Sequence, residues 1–146
     1  MSLVGRAMFS LVNWRARRGI AADDANGRST GVRGETYAYW FLRRHGYVMV
    51  ARNYRVPGLH GEIDLIGYDR GQLVFVEVKT RTGQDSQPED AITPEKRRVL
   101  VRMAQAFLAD RRIHNATWRF DVIAIRGRAG RAPEIRLHKN AFGASG

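Results

Sequence analysis

A hairpin-like stretch between residues 61 and 80 constrains the fold of this chain more than any other part of the sequence. Residues 72–80 are rich in β-branched and aromatic side chains, and residues 61–67 have a similar character, so both segments are predicted strands. Residues 69–71, Asp-Arg-Gly, are typical of a tight turn. Two strands joined by such a turn pair as an antiparallel hairpin, which we expect at the centre of the fold.

Helical patterns flank this hairpin. We expect a first helix that is capped by Ser29 or Thr30 and stopped by Gly46. A second helix is expected to begin at Thr93-Pro94-Glu95, which combine a hydroxyl cap, a proline at the first helical position and an acid facing the positive end of the helix dipole.

Further strands are predicted at residues 47–55, 117–125 and 134–138, so that the element order is α-β-β-β-α-β-β. The second helix connects the third and fourth strands, which we therefore expect to lie parallel, joined by a right-handed crossover. The predicted fold class is α/β, with a mixed sheet flanked by helices.

The length of 146 residues fits one domain. Residues 1–27 lack a sustained periodicity and are predicted to be a peripheral extension, while residues 28–146 form the folded domain. The extension has a short apolar stretch interrupted by Arg6 and followed by basic residues, which fits neither a signal peptide nor a membrane span. Residues 81–90 are predicted to form a polar loop.

Composition indicates an anionic partner. The chain has 25 Lys and Arg against 14 Asp and Glu, a formal charge of +11. Such a surplus attracts polyanions, nucleic acid first, although ribosome-associated and membrane-surface proteins share it. The absence of cysteine excludes a disulfide scaffold and cysteine-based zinc sites, and favours a cytoplasmic location. The four histidines are dispersed, so any metal is expected to be hard and bound by oxygen.

Side-chain alternation predicts a charged face on the third strand. Glu77 and Lys79 project from one side of this strand, while Val74, Val76 and Val78 project from the other. An acid and an amine therefore share one face.

The second strand is predicted to carry a matching acid. Alternation places Glu62 and Asp64 on one face, opposite Ile63 and Leu65. If the hairpin pairs in the register that matches these faces, Asp64 lies within reach of Glu77. Glu62 is interpreted either as a support for this pair or as the first residue of its strand.

Two neighbouring carboxylates repel each other unless a cation lies between them, and Mg²⁺ is the usual cation because it takes few protein oxygens and keeps waters for a phosphate substrate. Lys79 is then placed to position an attacking water or to screen the charge that develops on a phosphate. From spacing alone, a surface-exposed, salt-bridged strand face is the alternative interpretation of these residues.

Six short motifs together resemble the YraN family, over roughly residues 31–142. They are Gly34-Glu35, Arg52-Asn53, the segment GEIDLI at residues 61–66, the segment FVEVKTR at residues 75–81, Lys96, and Arg119-Phe120-Asp121. This family is placed in the restriction-endonuclease-like superfamily of PD-(D/E)xK nucleases, near the archaeal Holliday-junction resolvases. The resemblance implies that fold and a metal-dependent nuclease.

The resemblance also implies roles for individual residues. Asp64 matches the first acid of the motif, Glu77 and Lys79 match the ExK pair, and Glu35 matches the additional acid that resolvase-like members bring to the metal, Mg²⁺ or Mn²⁺. Ile63 stands where the motif name has proline. Glu35 also has an alternative interpretation as a first-turn acid favoured by the helix dipole.

DNA is the partner implied by the resemblance, and the likeness to resolvases extends this expectation to branched DNA. We expect Lys96, Arg81 and Arg97 to contact its phosphates, although the basic start of the second helix also fits a solvated face. Asp121 is interpreted either as a support for the site or as a salt-bridge partner of Arg119. A homodimer is expected by analogy with resolvases, and no membrane contact. The alternatives are a nucleic-acid-binding protein without catalysis and an interaction module that uses residues 1–27 as its handle.

Overall fold

A computed structural model describes residues 27–82, 92–127 and 131–143. Its elements in chain order are α1 (Gly27–Arg44), β1 (Val48–Tyr54), β2 (Ile63–Asp69), β3 (Gln72–Thr82), α2 (Pro94–Asp110), β4 (Trp118–Gly127) and β5 (Glu134–Phe142). The predicted order and the α/β class with a mixed sheet are confirmed. Almost all of the predicted extension and most of the predicted loop at residues 81–90 lie outside the described residues.

The five strands form one sheet in the order β1-β2-β3-β4-β5. β2 and β3 form the predicted antiparallel hairpin, and β3 pairs in parallel with β4 from Leu73 to Thr82. The hairpin turn has positive φ angles at Arg70 (51°) and Gly71 (85°), the conformation that matches the right-handed twist of paired strands. The tight turn and the parallel crossover are therefore confirmed.

A helix covers each face of the sheet. On one face α1 packs over Val74 and Val76, with Val78 beside them, as predicted for these three valines. On the other face α2 packs over Leu73 and Phe75. Because both faces of β3 are buried, its apolar residues form a continuous run, as is usual for a strand in a parallel pair.

The first helix begins earlier than predicted. α1 starts at Gly27, so Ser29 and Thr30 lie inside the helix and the prediction that one of them caps it was wrong. The first turn has no acidic residue, so the usual signal for a helix start is missing. The predicted end is confirmed, because the helix stops at Arg44 and Gly46 adopts φ 89°.

The second helix begins as predicted. Thr93 has an extended backbone, and its hydroxyl oxygen accepts a hydrogen bond from the Lys96 amide at 3.1 Å. Pro94 occupies the first turn, where the missing N–H is not needed. The cap therefore determines which way Lys96 and the residues after it project.

The fifth strand is longer than the predicted segment of residues 134–138, which was wrong at its end. It continues to Phe142 through a register shift against β4 and a positive φ at Asn140 (52°). Phe142 is buried and stacks on Phe120 with ring centroids 4.4 Å apart. A core aromatic therefore holds a strand end whose local sequence is polar.

Within the residues that the structure describes, no helix is long and apolar enough to span a membrane.

Candidate active site

The candidate site lies where the β2–β3 ladder opens. Counted from the hairpin turn, the last paired residues of this ladder are Leu65 and Val76. Asp64 and Glu77 lie one position further from the turn. The amide of Val78 donates to Oδ2 of Asp64 at 2.7 Å. The Asp64 carboxylate thus satisfies a backbone donor that β2 no longer pairs, which fixes the orientation of the side chain.

The same opening breaks the predicted alternation on β2. Leu65 packs in the core beneath α1, but Ile63 packs in the core beneath α2. The prediction that Ile63 and Leu65 share a face was wrong, because strict alternation needs a regular ladder and Ile63 precedes the part that pairs with β3.

Glu77 is the most deeply buried acid of the site, with 4% of its surface exposed. Its Oε1 lies 3.2 Å from Nζ of Lys79 and 3.3 Å from Nζ of Lys96. Its Oε2 is buried and has no hydrogen-bond partner among the described residues. A buried, unpartnered carboxylate oxygen is costly, so one half of this side chain is satisfied and the other half is open to a ligand.

Asp64 has a strongly altered acidity. Burial, then the charge of Glu77, raises the pKa of Asp64 to about 8, against the opposing effect of the Val78 amide. Glu35 also raises this pKa, and Lys96 lowers it. A bound cation would relieve this repulsion and return Asp64 to its charged form.

Glu35 reaches the site from α1 because of the residue before it. A Cβ atom at Gly34 would overlap the hydroxyl of Thr80 on β3, so the glycine lets the helix approach this closely with Thr80 in its present orientation. Asn53, with φ 47°, donates from Nδ2 to Oε2 of Glu35 at 2.8 Å. Since α1 begins at Gly27, Glu35 is more than two turns into the helix and the first-turn interpretation was wrong.

Three acids meet at this point. Glu35, Glu62 and Asp64 each place one carboxylate oxygen within 4.8 Å of the others. Glu62 also pairs with Arg55 at 2.7 Å. All of these ligand atoms are oxygens, the kind that Mg²⁺ and Mn²⁺ prefer, so the residues present fit a hard divalent cation.

The three basic residues predicted to contact DNA lie in different surroundings. Lys96 joins the acids through Glu77. Arg81 donates to the Thr80 carbonyl at 3.2 Å. Arg97 instead lies over Phe142, with its Cζ 5.5 Å from the ring centroid. The structure thus brings Lys96 to the acids and directs Arg97 elsewhere.

Asp121 belongs to a second polar cluster. It is fully buried and accepts hydrogen bonds from Arg119 at 2.8 Å and from Tyr47 at 3.2 Å. Arg119 also binds Asp69 at 2.7 Å, and Lys139 binds the same acid at 2.9 Å. We call these five residues the Arg119 network, and they confirm the salt-bridge interpretation of Asp121.

Sequence reasoning missed two contributors and undervalued a third. The missed ones are the Val78 amide, which shows no side-chain pattern, and the Asn53 side chain. Asn53 did stand in one of the motifs, and asparagine tolerates positive φ better than most residues, which fits its φ of 47° within β1. Glu62 was kept outside the predicted site, yet the structure places it with Glu35 and Asp64.

Comparison with known proteins agrees with the resemblance in the motifs. The model of the "Uncharacterised protein family UPF0102" matches residues 34–125. A UPF0102 protein of Koribacter versatilis is 43% identical over 125 residues, covering 85% of this chain and 86% of the relative. Relatives in Geobacter metallireducens and Geotalea uraniireducens are 43% and 40% identical, covering 79% and 82% of this chain. The chain therefore belongs to the UPF0102 family, also called the YraN family.

Proposed function

We propose that this protein is a divalent-metal-dependent nuclease that hydrolyses phosphodiester bonds of DNA. The observation that carries the proposal is the arrangement around Glu77. One of its oxygens lies between two ammonium groups and the other is buried without a partner among the described residues, next to Asp64, whose pKa burial raises to about 8. An arrangement with surplus acid and a free oxygen suits a cation better than it suits a stable core.

Asp64, Glu35 and, through its unpartnered oxygen, Glu77 would hold Mg²⁺ or Mn²⁺; the three oxygens that already lie within 4.8 Å of one another are those of Glu35, Glu62 and Asp64. When bound, the cation would offset the negative charge of the phosphate and would lower the pKa of a water molecule that it binds. Without it, a DNA phosphate approaching this cluster of acids meets like charge, so a phosphate would lie over the acids themselves only when the metal is bound.

Lys79 supplies the remaining chemistry of the proposed site. Its ammonium is half-buried and close to Glu77, so it can donate to an attacking water or to the phosphate. In hydrolysis the water oxygen forms a bond to phosphorus and the bond to the leaving oxygen breaks. The water gives up a proton to solvent, and the leaving oxygen takes up a proton from solvent. Lys79 and Lys96 offset the negative charge that grows on the phosphate oxygens during this step.

A binding protein without catalysis is the rival function. Net charge of +11 would serve it equally well. A binding protein without catalysis has no need for Glu77 and Asp64, which are buried at 4% and 7% exposure, because acidic residues repel DNA. The acids therefore favour the nuclease.

The test is cleavage of labelled single-stranded, duplex, flap and four-way-junction DNA with Mg²⁺, Mn²⁺ or EDTA. Glu77→Gln removes the central carboxylate, and Glu95→Gln is the matched control because Glu95 is an exposed acid on α2. We expect metal-dependent cleavage that Glu77→Gln lowers by about 10²-fold or more and Glu95→Gln leaves unchanged. Equal cleavage by both variants, or binding without cleavage of any substrate, would favour the rival.

The same substrate panel tests the finer predictions. A preference for branched DNA follows from the resolvase resemblance, and equal cutting of linear and branched substrates would remove it. A homodimer is expected on the same analogy because symmetric cutting of two strands needs two sites. Sedimentation as a monomer at micromolar concentration would contradict that expectation.

A further inference from the structure

A cationic cleft lies beside α2, away from the acids. It has a volume of about 460 Å³, and its walls come from the residues before and within α2, from β4 and from the end of β5. The lining residues are Ile92, Arg97, Val122, His138, Lys139, Ala141 and Phe142. Among these described residues there is no acid and Arg97 brings a positive charge, which suggests an anionic ligand.

Strand register relates this cleft to the candidate active site. Glu77 pairs with Val122 on β4, and Val122 pairs with His138 on β5. Val122 packs in the core beneath α2, so His138 and Glu77 are on the same side of the sheet. Two strand spacings separate them, about 10 Å, which is close to the axial rise of three nucleotides along one DNA strand.

Arg97 is the residue that equips the cleft for an anion. It follows Lys96, which contacts Glu77. One turn of α2 therefore contributes a residue to the candidate active site and a residue to the cleft. The Arg97 Nε is buried and has no hydrogen-bond acceptor in the described part of the chain. Its guanidinium lies over the Phe142 ring, which Phe120 supports by stacking. The Arg97 guanidinium is thus held in place by the ring and has a donor that the described residues leave without an acceptor, so it can bind an anionic ligand.

Lys139 contributes little charge to the cleft. Its ammonium binds Asp69 at 2.9 Å and lies 5.5 Å from the Tyr47 ring centroid, both in the Arg119 network. The lysine therefore lines the cleft with other parts of the residue. Arg97 therefore carries the charge of the cleft, and His138 is one of its lining residues.

We propose that this cleft binds a backbone phosphate of the same DNA strand, a few nucleotides from the phosphate at Glu77. The proposal rests on the proposed function and extends it to how the substrate is held. Guanidinium groups bind phosphates through paired hydrogen bonds, which fix the position of the strand without reading its bases. The cleft would thus set the register of the backbone over the acids, independently of sequence.

Binding without metal tests the cleft separately from cleavage. Affinity of a labelled single strand and a labelled duplex is measured in EDTA across a series of salt concentrations. Arg97→Met removes the guanidinium and keeps an unbranched apolar side chain. Arg98→Met is the matched control, since Arg98 is exposed and its nearest acid is Glu95 at 3.9 Å. Thermal unfolding of each variant checks that the fold is kept.

We expect Arg97→Met to weaken binding about tenfold and to lower the slope of log affinity against log salt by about 1, the loss of one phosphate contact. Arg98→Met should change affinity less than about twofold. Arg97→Lys should recover part of the affinity because it keeps the charge but not the fork of donors.

Equal weakening by Arg97→Met and Arg98→Met would overturn the cleft, because it would show a general charge effect. An unchanged affinity in Arg97→Met would overturn it as well. Neither result bears on the nuclease, which Glu77→Gln tests through cleavage. Conversely, a chain that never cuts DNA but loses affinity in Arg97→Met keeps the phosphate site and loses the proposed chemistry.

Discussion

Asp64 and Asp69 both lie on β2, and their surroundings move their pKa values in opposite directions. Hydrogen bonds from Arg119 and Lys139 lower the pKa of Asp69, whereas burial and the charge of Glu77 raise the pKa of Asp64 to about 8. Asp69 has two cations of its own. Asp64 shares its surroundings with three other acids and has one backbone donor.

The difference separates acids that hold the fold from acids that await a ligand. In the Arg119 network, Asp69 and Asp121 are both engaged by Arg119, which itself is 12% exposed as a side chain. At the candidate site Glu77 retains a buried oxygen with no partner in the described residues. A folded chain accepts such an imbalance mainly where a function needs it.

The largest expected effect is on stability, in the Arg119 network. Arg119→Met leaves Asp121 buried without its cation, so we expect the free energy of unfolding to fall by about 3–5 kcal/mol. Glu77→Gln should change the free energy of unfolding by less than about 1 kcal/mol. The substitution removes the repulsion between Glu77 and Asp64, and the two lysines that pair with Glu77 can turn toward water. Urea denaturation measures both, and equal losses would break the contrast between the two clusters.

Metal should stabilise one cluster and leave the other unaffected. At a Mg²⁺ concentration about 100 times the dissociation constant, the free energy of unfolding should rise by about 2.7 kcal/mol. Asp64→Asn should remove this gain, and Glu95→Gln should keep it. Chelation with EDTA should return the wild-type value. A gain that survives in Asp64→Asn would place the metal at other residues.

The opposite pKa shifts predict opposite dependence on pH in EDTA. Between about pH 4 and pH 8 the folded chain keeps a proton on Asp64 that the unfolded chain has lost, so stability falls as pH rises, by up to about 1.4 kcal/mol per unit. Asp69 acts in the other sense, because its lowered pKa contributes stability above about pH 4 that is lost on acidification. Denaturation at a series of pH values, with Asp64→Asn as control, measures the first effect. A slope unchanged in Asp64→Asn would contradict the assignment.

The smallest expected effect concerns Glu62. It lies with Glu35 and Asp64, but Arg55 already neutralises it at the surface. We therefore expect Glu62→Gln to weaken Mg²⁺ binding by less than about threefold, and Glu35→Gln to weaken it by about tenfold or more. Calorimetric titration compares the two. A larger loss for Glu62→Gln would make it a ligand and Glu35 the support.

Sequence patterns predicted the regular parts of the fold. The hairpin, its turn, the parallel pairing of β3 with β4 and the cap at Thr93 all depend on local signals, and all are confirmed. Alternation also placed Glu77 beside Lys79. The family match supports the motifs that carry the site, while the chemical roles of their residues stay predictions.

The errors fall where tertiary contacts override local patterns. Ile63 packs beneath α2 because β2 has not yet paired with β3 at that point. β5 continues through Asn140 because Phe142 has a place in the core next to Phe120. Neither contact is visible from neighbours in sequence. The Glu35 environment likewise depends on Asn53, which lies in a different element.

Gly34 allows α1 to lie close to β3 at the candidate site. A side chain at position 34 would overlap the Thr80 hydroxyl, so either Thr80 would have to turn or α1, with Glu35, would have to shift away from β3. A shift of α1 would move Glu35 away from Asp64, because Glu35 directly follows Gly34 on the helix. The position of Glu35 at the site therefore depends on the missing Cβ atom of Gly34.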